Sequence, residues 1–197
     1  MIPGTHNSGT AGELVWWQRP FSFILNTTSR CQERNITQQI ADGVKLYNLQ
    51  TTFYRGCWHF SHGLCIYKER LHDALKTLRA AAKPLSPIYF QLYLDKNFFC
   101  GQDKKRFAEL IEEVKREYCA EGLVMLSAWI EGSDEYPHKS KASIDKRENY
   151  WTKAWGKIHG KNFLDRLPLP RYHAQKHNAS YRALCKGDYL MLDFYNI

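Results

Sequence analysis

Apolar and polar positions along this chain follow two periods in turn. Ile88–Leu94 and Leu123–Ile130 are short runs rich in branched and aromatic residues, and they predict buried strands. Val44–Gln50, Trp58–His62 and Tyr189–Tyr195 predict three more. Helical spacing fills the intervals. Lys68–Ala82 places Leu71, Leu75 and Leu78 on one stripe, and Pro84 and Pro87 stop it. Gln102–Cys119 carries Phe107, Leu110, Ile111, Val114 and Tyr118 at the same period. Asn35-Ile-Thr-Gln38 has the form of a capping box, opening a short helix with Ile36 and Ile40 on one face that Gly43 ends. Strands alternating with helices predict an α/β fold with a largely parallel sheet.

Residues 132–188 are polar, carry Pro137, Pro168 and Pro170, and predict no strand. No internal repeat or low-complexity tract is evident. The 197 residues fit one domain over 1–197, and 44% hydrophobic with 24% charged residues is ordinary for a globular chain. No run approaches the roughly 18 apolar residues of a membrane span, and no signal peptide is visible. The expectation is therefore a soluble or peripheral membrane protein. Six cysteines show no CxxC pair and no metal-ligand spacing, so they are expected as free thiols rather than a disulfide framework.

The net charge of +8 favours an anionic partner, a lipid surface or a nucleic acid by sign alone. Its basic residues are scattered rather than blocked, and no recognised motif supports nucleic-acid binding, which is not expected. A monomer is expected.

The candidate chemistry lies in two histidines and a carboxylate. His6 sits behind a Pro-Gly bend and ahead of Asn7-Ser-Gly-Thr10, where a strand gives way to a loop. His62 follows a short apolar run and precedes Gly63, and Asp193 sits in the apolar run near the C-terminus. Two imidazoles and a carboxylate are the minimum for acid–base phosphodiester chemistry. Strand parity separates the histidines of Trp58–His62, grouping His62 with Trp58 and Phe60 and sending His59 the other way. Parity also puts Asn48 and Gln50 on one face, with Lys45 on the other.

Four segments resemble the X domain of phosphatidylinositol-specific phospholipase C: Ile2-Pro-Gly-Thr-His-Asn-Ser-Gly-Thr10, Gly43-Val-Lys-Leu-Tyr-Asn-Leu-Gln50, His62-Gly63, and Leu190-Met-Leu-Asp-Phe-Tyr-Asn196. The lead-in from Cys31-Gln-Glu-Arg34 is similar to the trypanosome glycosylphosphatidylinositol-cleaving branch and its bacterial relatives. The resemblance implies a TIM (β/α)8-type barrel with its site at the C-terminal ends of the strands. A full barrel takes about 250 residues, so a distorted or incomplete one is expected here.

The resemblance also implies a reaction: cleavage of phosphatidylinositol or a glycosylphosphatidylinositol by transesterification. His6 is the expected general base, His62 the general acid, and Asp193 the carboxylate that orients His6. Asn7, Asn48, Gln50, Tyr93 and Asp145 are the expected substrate-binding residues. The partner is a phospholipid headgroup or an anionic membrane surface, and Trp16 and Trp17 fall where relatives carry an interfacial helix. Bacterial relatives place an arginine at the position of Gln50, and calcium-dependent relatives place carboxylates at Asn48, Gln50 and near Tyr93. Ala128 and Trp129 stand where an inositol-facing arginine is expected. No cofactor is therefore expected, and calcium is not, since a hard divalent cation needs carboxylates. The related metal-dependent phosphodiesterase barrels fit less well, because Glu13 is the only acid soon after the first histidine. The competing class is a catalytically impaired relative that binds headgroups or anionic membrane surfaces.

Overall fold

A computed structural model describes residues 2–130, positions 171, 174, 175 and 178, and the backbone of 189–192. Seven strands form one sheet: β1 (Ile2–Thr5), β2 (Leu46–Tyr54), β3 (Cys57–His62), β4 (Cys65–Arg70), β5 (Ile88–Leu94), β6 (Leu123–Ile130) and β7 (Tyr189–Leu192). Within residues 2–130 four α-helices accompany them: α1 (Ser22–Ser29), α2 (Ile36–Ala41), α3 (Leu71–Ala81) and α4 (Lys104–Glu117). β7, β1, β2, β5 and β6 run parallel in that spatial order, so the last strand lies beside the first. That is the neighbour relation of a barrel. Among the described residues the sheet does not close between β6 and β7, and what is described is a mixed α/β fold with a largely parallel sheet.

β2 organises the site end because one of its edges is used twice. Its Leu46–Thr51 stretch pairs with β5 on one side. On the other side β1 pairs only with Leu46 and Tyr47, and antiparallel β3 takes over from Thr51 to Tyr54. Between them lies a gap beside Asn48–Gln50. The 3-10 turn Ser8–Ala11 enters it, with Ser8 Oγ accepting from the Asn48 N–H at 3.0 Å. Gly9 is required here: a Cβ would lie 2.1 Å from the Phe60 ring, inside any allowed contact.

The apolar face of the sheet carries Tyr47, Leu49, Phe90, Leu92 and Ala128, all fully buried. α3 covers it with Leu71, Ala74, Leu75 and Leu78, and α4 with Phe107, Leu110, Ile111 and Val114. Each such aliphatic or aromatic side chain contributes roughly 1.5–3 kcal/mol on burial, and Trp58 packs edge-on to Phe107 at 6.0 Å to join the β3 end to α4. The capping box read from sequence recurs, with Asn35 and Gln38 bonded reciprocally at the start of α2; α4 adds a cap of its own, Asp103 accepting from the Arg106 N–H.

Two departures from the expected elements matter. The predicted helix Lys68–Ala82 begins at Leu71, because Cys65–Arg70 is strand β4, paired with β3. β2, β3 and β4 thus form an antiparallel extension, turned by Arg55 and Gly56, both at positive φ, as a two-residue hairpin requires. α1 was not predicted: its apolar residues Phe23, Ile24 and Leu25 are consecutive and its second half is Asn-Thr-Thr-Ser, too short a pattern to show a period. The expected strand Tyr189–Tyr195 is described as far as Leu192.

Candidate active site

His6 leaves the end of β1 and His62 closes β3, so the double use of the β2 edge brings them together. Their rings are 6.5 Å apart between centroids and nearly perpendicular, at 82°. The two imidazoles therefore meet edge to face at the end of the sheet where β1 and β3 stop.

His62 is held through one ring nitrogen. Its Nδ1 lies 2.8 Å from the carbonyl oxygen of Ser29, the last residue of α1. A carbonyl only accepts, so the neutral ring carries its proton on Nδ1 and leaves Nε2 for exchange with a substrate. The Cys31 sulfur lies 3.5 Å from the same Nδ1. His59 points away, as parity requires, with Nδ1 2.9 Å from the Tyr67 carbonyl. It borders a separate cavity of about 640 Å³ lined by Glu13, Lys68, Glu69, Arg70 and Asp73. Burial lowers the His59 pKa, and burial followed by the Asp73 charge raises Glu69 to about 7.

The His6 loop is fixed by buried amides. Asn7 adopts a left-handed conformation at φ 47° that asparagine tolerates. Its N–H donates to Asn48 Oδ1 at 3.3 Å. Gln32 Nε2 donates to the His6 carbonyl at 2.8 Å.

The expected substrate-binding residues divide by position. Asn7 and Asn48 are both 1% exposed and Gln50 is 5% exposed. Gln50 does not end in open solvent as its place at a strand end implied, because Nε2 donates to Asp95 Oδ1 at 2.7 Å. Asp95 is fully buried and went unread in the sequence. Register aligns Gln50 with Tyr93 and Trp129, and Asn48 with Gln91 and Ser127, across β2, β5 and β6. The Tyr93 ring packs on Trp129 at 4.9 Å. The strand positions of this face are polar amides, hydroxyls and aromatics, with the Asp95 carboxylate at its edge engaged by Gln50. Lys45 stands apart from it, donating to Ser86 Oγ at 2.9 Å. Asp193 and Asp145 lie outside the described residues. Among the described residues no three His, Cys, Asp or Glu side chains are grouped to hold a metal ion.

Exposed aromatic and aliphatic side chains lie on the segments flanking β3, from the Arg55 turn, where Trp16 sits, to Leu64 just beyond His62. Trp16 is 65% exposed, Phe23 72% and Phe98 78%, with Phe21, Ile24, Leu64 and Phe99 also exposed. The segments are tied to one another. Trp17 packs edge-on to Phe99 at 4.8 Å. Gln18 Nε2 donates to the Leu64 carbonyl, and Asn97 Nδ2 to the Gly63 carbonyl. Among the described residues no helix is long and apolar enough to cross a membrane.

Solved structures place this fold. The chain is similar to a histidine-to-tyrosine variant of phosphatidylinositol-specific phospholipase C from Staphylococcus aureus, at 13% identity and a TM-score of 0.60, covering 98% of this chain and 84% of the other. A second structure of the S. aureus enzyme, solved in work on its membrane binding, gives 12% identity and 0.59, covering 98% and 85%. The enzyme from Listeria monocytogenes gives 16% identity and 0.53, covering 98% and 87%. No family model and no curated protein matches the sequence. At these identities the likeness establishes a shared fold.

Proposed function

We propose that this chain is a phosphodiesterase of the phosphatidylinositol-specific phospholipase C type, cleaving phosphatidylinositol or a glycosylphosphatidylinositol by intramolecular transesterification. The observation that carries the reading is the opposed pair His6 and His62, 6.5 Å apart at the rim of a polar sheet face. That face supports a hydroxyl-rich substrate, since Asn48, Gln91, Ser127, Gln50 and Tyr93 share its register.

In this reading His6 takes the proton of the inositol 2-hydroxyl as its oxygen attacks phosphorus. His62, as imidazolium, gives its Nε2 proton to the glycerol oxygen as the P–O bond breaks. The products are diacylglycerol and a cyclic inositol phosphate, and each histidine ends in the other's starting state. Ser29 supports the second step, because a carbonyl on Nδ1 stabilises the imidazolium and leaves Nε2–H as the proton to be given. Asp193 is the proposed orienting group for His6. Asn7, Asn48 and Gln50 act first as scaffold, through the bonds already described, and Asp145 remains a proposed hydroxyl ligand.

No metal is assigned to the reaction. Asn7, Asn48 and Gln50 are neutral where a hard cation needs carboxylates. The exposed aromatics on the segments flanking β3 support a membrane surface as the partner, with the positive net charge favouring anionic lipid. Binding without turnover is the second reading, favoured by a neutral Gln50 where a cation would serve the phosphate: a preorganised cation at a developing phosphorane is worth about 3–4 kcal/mol. Phosphorus NMR of phosphatidylinositol vesicles incubated with the protein separates the two. Inositol 1,2-cyclic phosphate supports the enzyme, and bound vesicles with no product support the binding module.

A further inference from the structure

One short segment grips both histidines. Ser29 and Cys31 touch Nδ1 of His62 from the end of α1. The same residues reach the His6 loop: Asn7 Nδ2 donates to Cys31 Sγ at 3.5 Å, and the Cys31 N–H donates to Thr10 Oγ1 at 2.9 Å. Thr10 Oγ1 in turn donates to the Asn7 carbonyl, and the neighbouring Gln32 holds the His6 carbonyl. Cys31 S–H faces the Ser29 carbonyl at 3.7 Å.

We propose that Cys31 is a positioning residue for the His62 ring. Its thiol, held by the Asn7 amide, packs against the Nδ1 edge and keeps that nitrogen seated on the Ser29 carbonyl, so the tautomer the carbonyl sets is the single one; without the sulfur the ring can leave the carbonyl and admit the other. Three features carry this. Cys31 is 1% exposed, so its sulfur is confined rather than sampling solvent. Sulfur is large and soft enough to accept from an N–H at 3.5 Å, a span a hydroxyl on a shorter bond leaves open. And Asn7 directly follows His6, so one amide–thiol contact couples the position of one histidine to the orientation of the other. A carboxylate on Nδ1 would hold the ring by charge; here the work falls to a neutral thiol and a backbone carbonyl.

The proposal rests on His62 being the proton donor of the reaction above, and its test does not. The measurement is the 15N spectrum of histidine-labelled protein, read for the tautomer and pKa of His62 in wild type, Cys31→Ala and Cys31→Ser, with folding checked by circular dichroism. Wild type is expected as the single Nδ1-protonated tautomer. Either folded variant is expected to admit the Nε2-protonated tautomer and to shift the His62 titration. With phosphatidylinositol as substrate, kcat should fall by about tenfold to a hundredfold with KM within about twofold. If Cys31→Ala does not fold, Cys31→Ser supplies the same readings at nearly the same volume. A folded variant whose His62 keeps the wild-type tautomer and pKa overturns the proposal, whatever its activity. Absence of turnover in wild type would overturn the proposed function alone, and the tautomer would still decide this one.

Discussion

Gln50 donates its side-chain amide to the buried carboxylate of Asp95 at 2.7 Å. The bond places a carboxylate beside the position where a cation would serve the phosphate, and it changes what a substitution there must do. Gln50→Arg would not enter free solvent. Its guanidinium would meet Asp95 with one edge and keep the other for a phosphate oxygen, since five donors in a fixed fork allow both. The expected result is a retained fold and a rise of about tenfold or more in phosphatidylinositol cleavage. Initial rates in wild type and variant measure it. An unchanged rate in a folded variant that still binds headgroup would favour the binding module.

Metal removal tests the amide character of the site. Treatment with EDTA, followed by assay in metal-free buffer, is expected to leave activity within about twofold, because Asn7, Asn48 and Gln50 offer amides and Asp95 is engaged with Gln50. Strict dependence on added calcium would mean that ligands other than these complete the site.

Glu69 predicts a pH dependence of stability. Its carboxyl titrates at about 7 in the fold against 4.5 for the ordinary group, chiefly through burial. Between those values the folded protein holds a proton that the unfolded chain has lost. Stability therefore falls as pH rises through that window, and the cost is complete above it. Glu69→Gln should be more stable than wild type at pH 8 by about 1–2 kcal/mol, a reduced figure because the side chain is only partly shielded. At pH 4 the two should match. Urea denaturation at both values measures this, and an equal gain at both would assign it to something other than ionisation.

The exposed aromatic border predicts the lipid dependence. Replacing Trp16 and Phe98 with alanine should weaken binding to anionic phosphatidylinositol vesicles by about tenfold for each residue, the loss of roughly 1.5 kcal/mol of inserted apolar surface apiece. Activity on a short-chain, water-soluble phosphatidylinositol should stay within about twofold. Sedimentation with vesicles measures the first and initial rates the second.

What could be read from the sequence divides by distance along the chain. Ile88–Leu94 and Leu123–Ile130 fold as strands with the bounds their patterns give, because branched residues between clear breakers leave no competing period. The Asn35–Gln38 box is local by nature and recurs in full. β4 was lost because its polar end, Lys68-Glu-Arg70, runs into the helix and reads as its first turn; the pairing partner that makes it a strand is β3. At the site, parity alone separated His62 from His59. Ser29, Cys31 and Asp95 were invisible as site residues, because their partners lie 31 to 45 positions away and leave no spacing to detect. The burial of Gln50 was hidden for the same reason. Asp193 and Asp145 stand on sequence grounds alone.

The central claim is that His6 and His62 exchange a proton across one phosphodiester. Phosphorus NMR of phosphatidylinositol vesicles with wild type, His6→Ala and His62→Ala tests it most directly. Wild type should yield inositol 1,2-cyclic phosphate, and each variant, folded by circular dichroism, should lose its formation by a factor of at least about a thousand, having lost one proton carrier. Formation of the cyclic product at near wild-type rate in either folded variant would contradict the account.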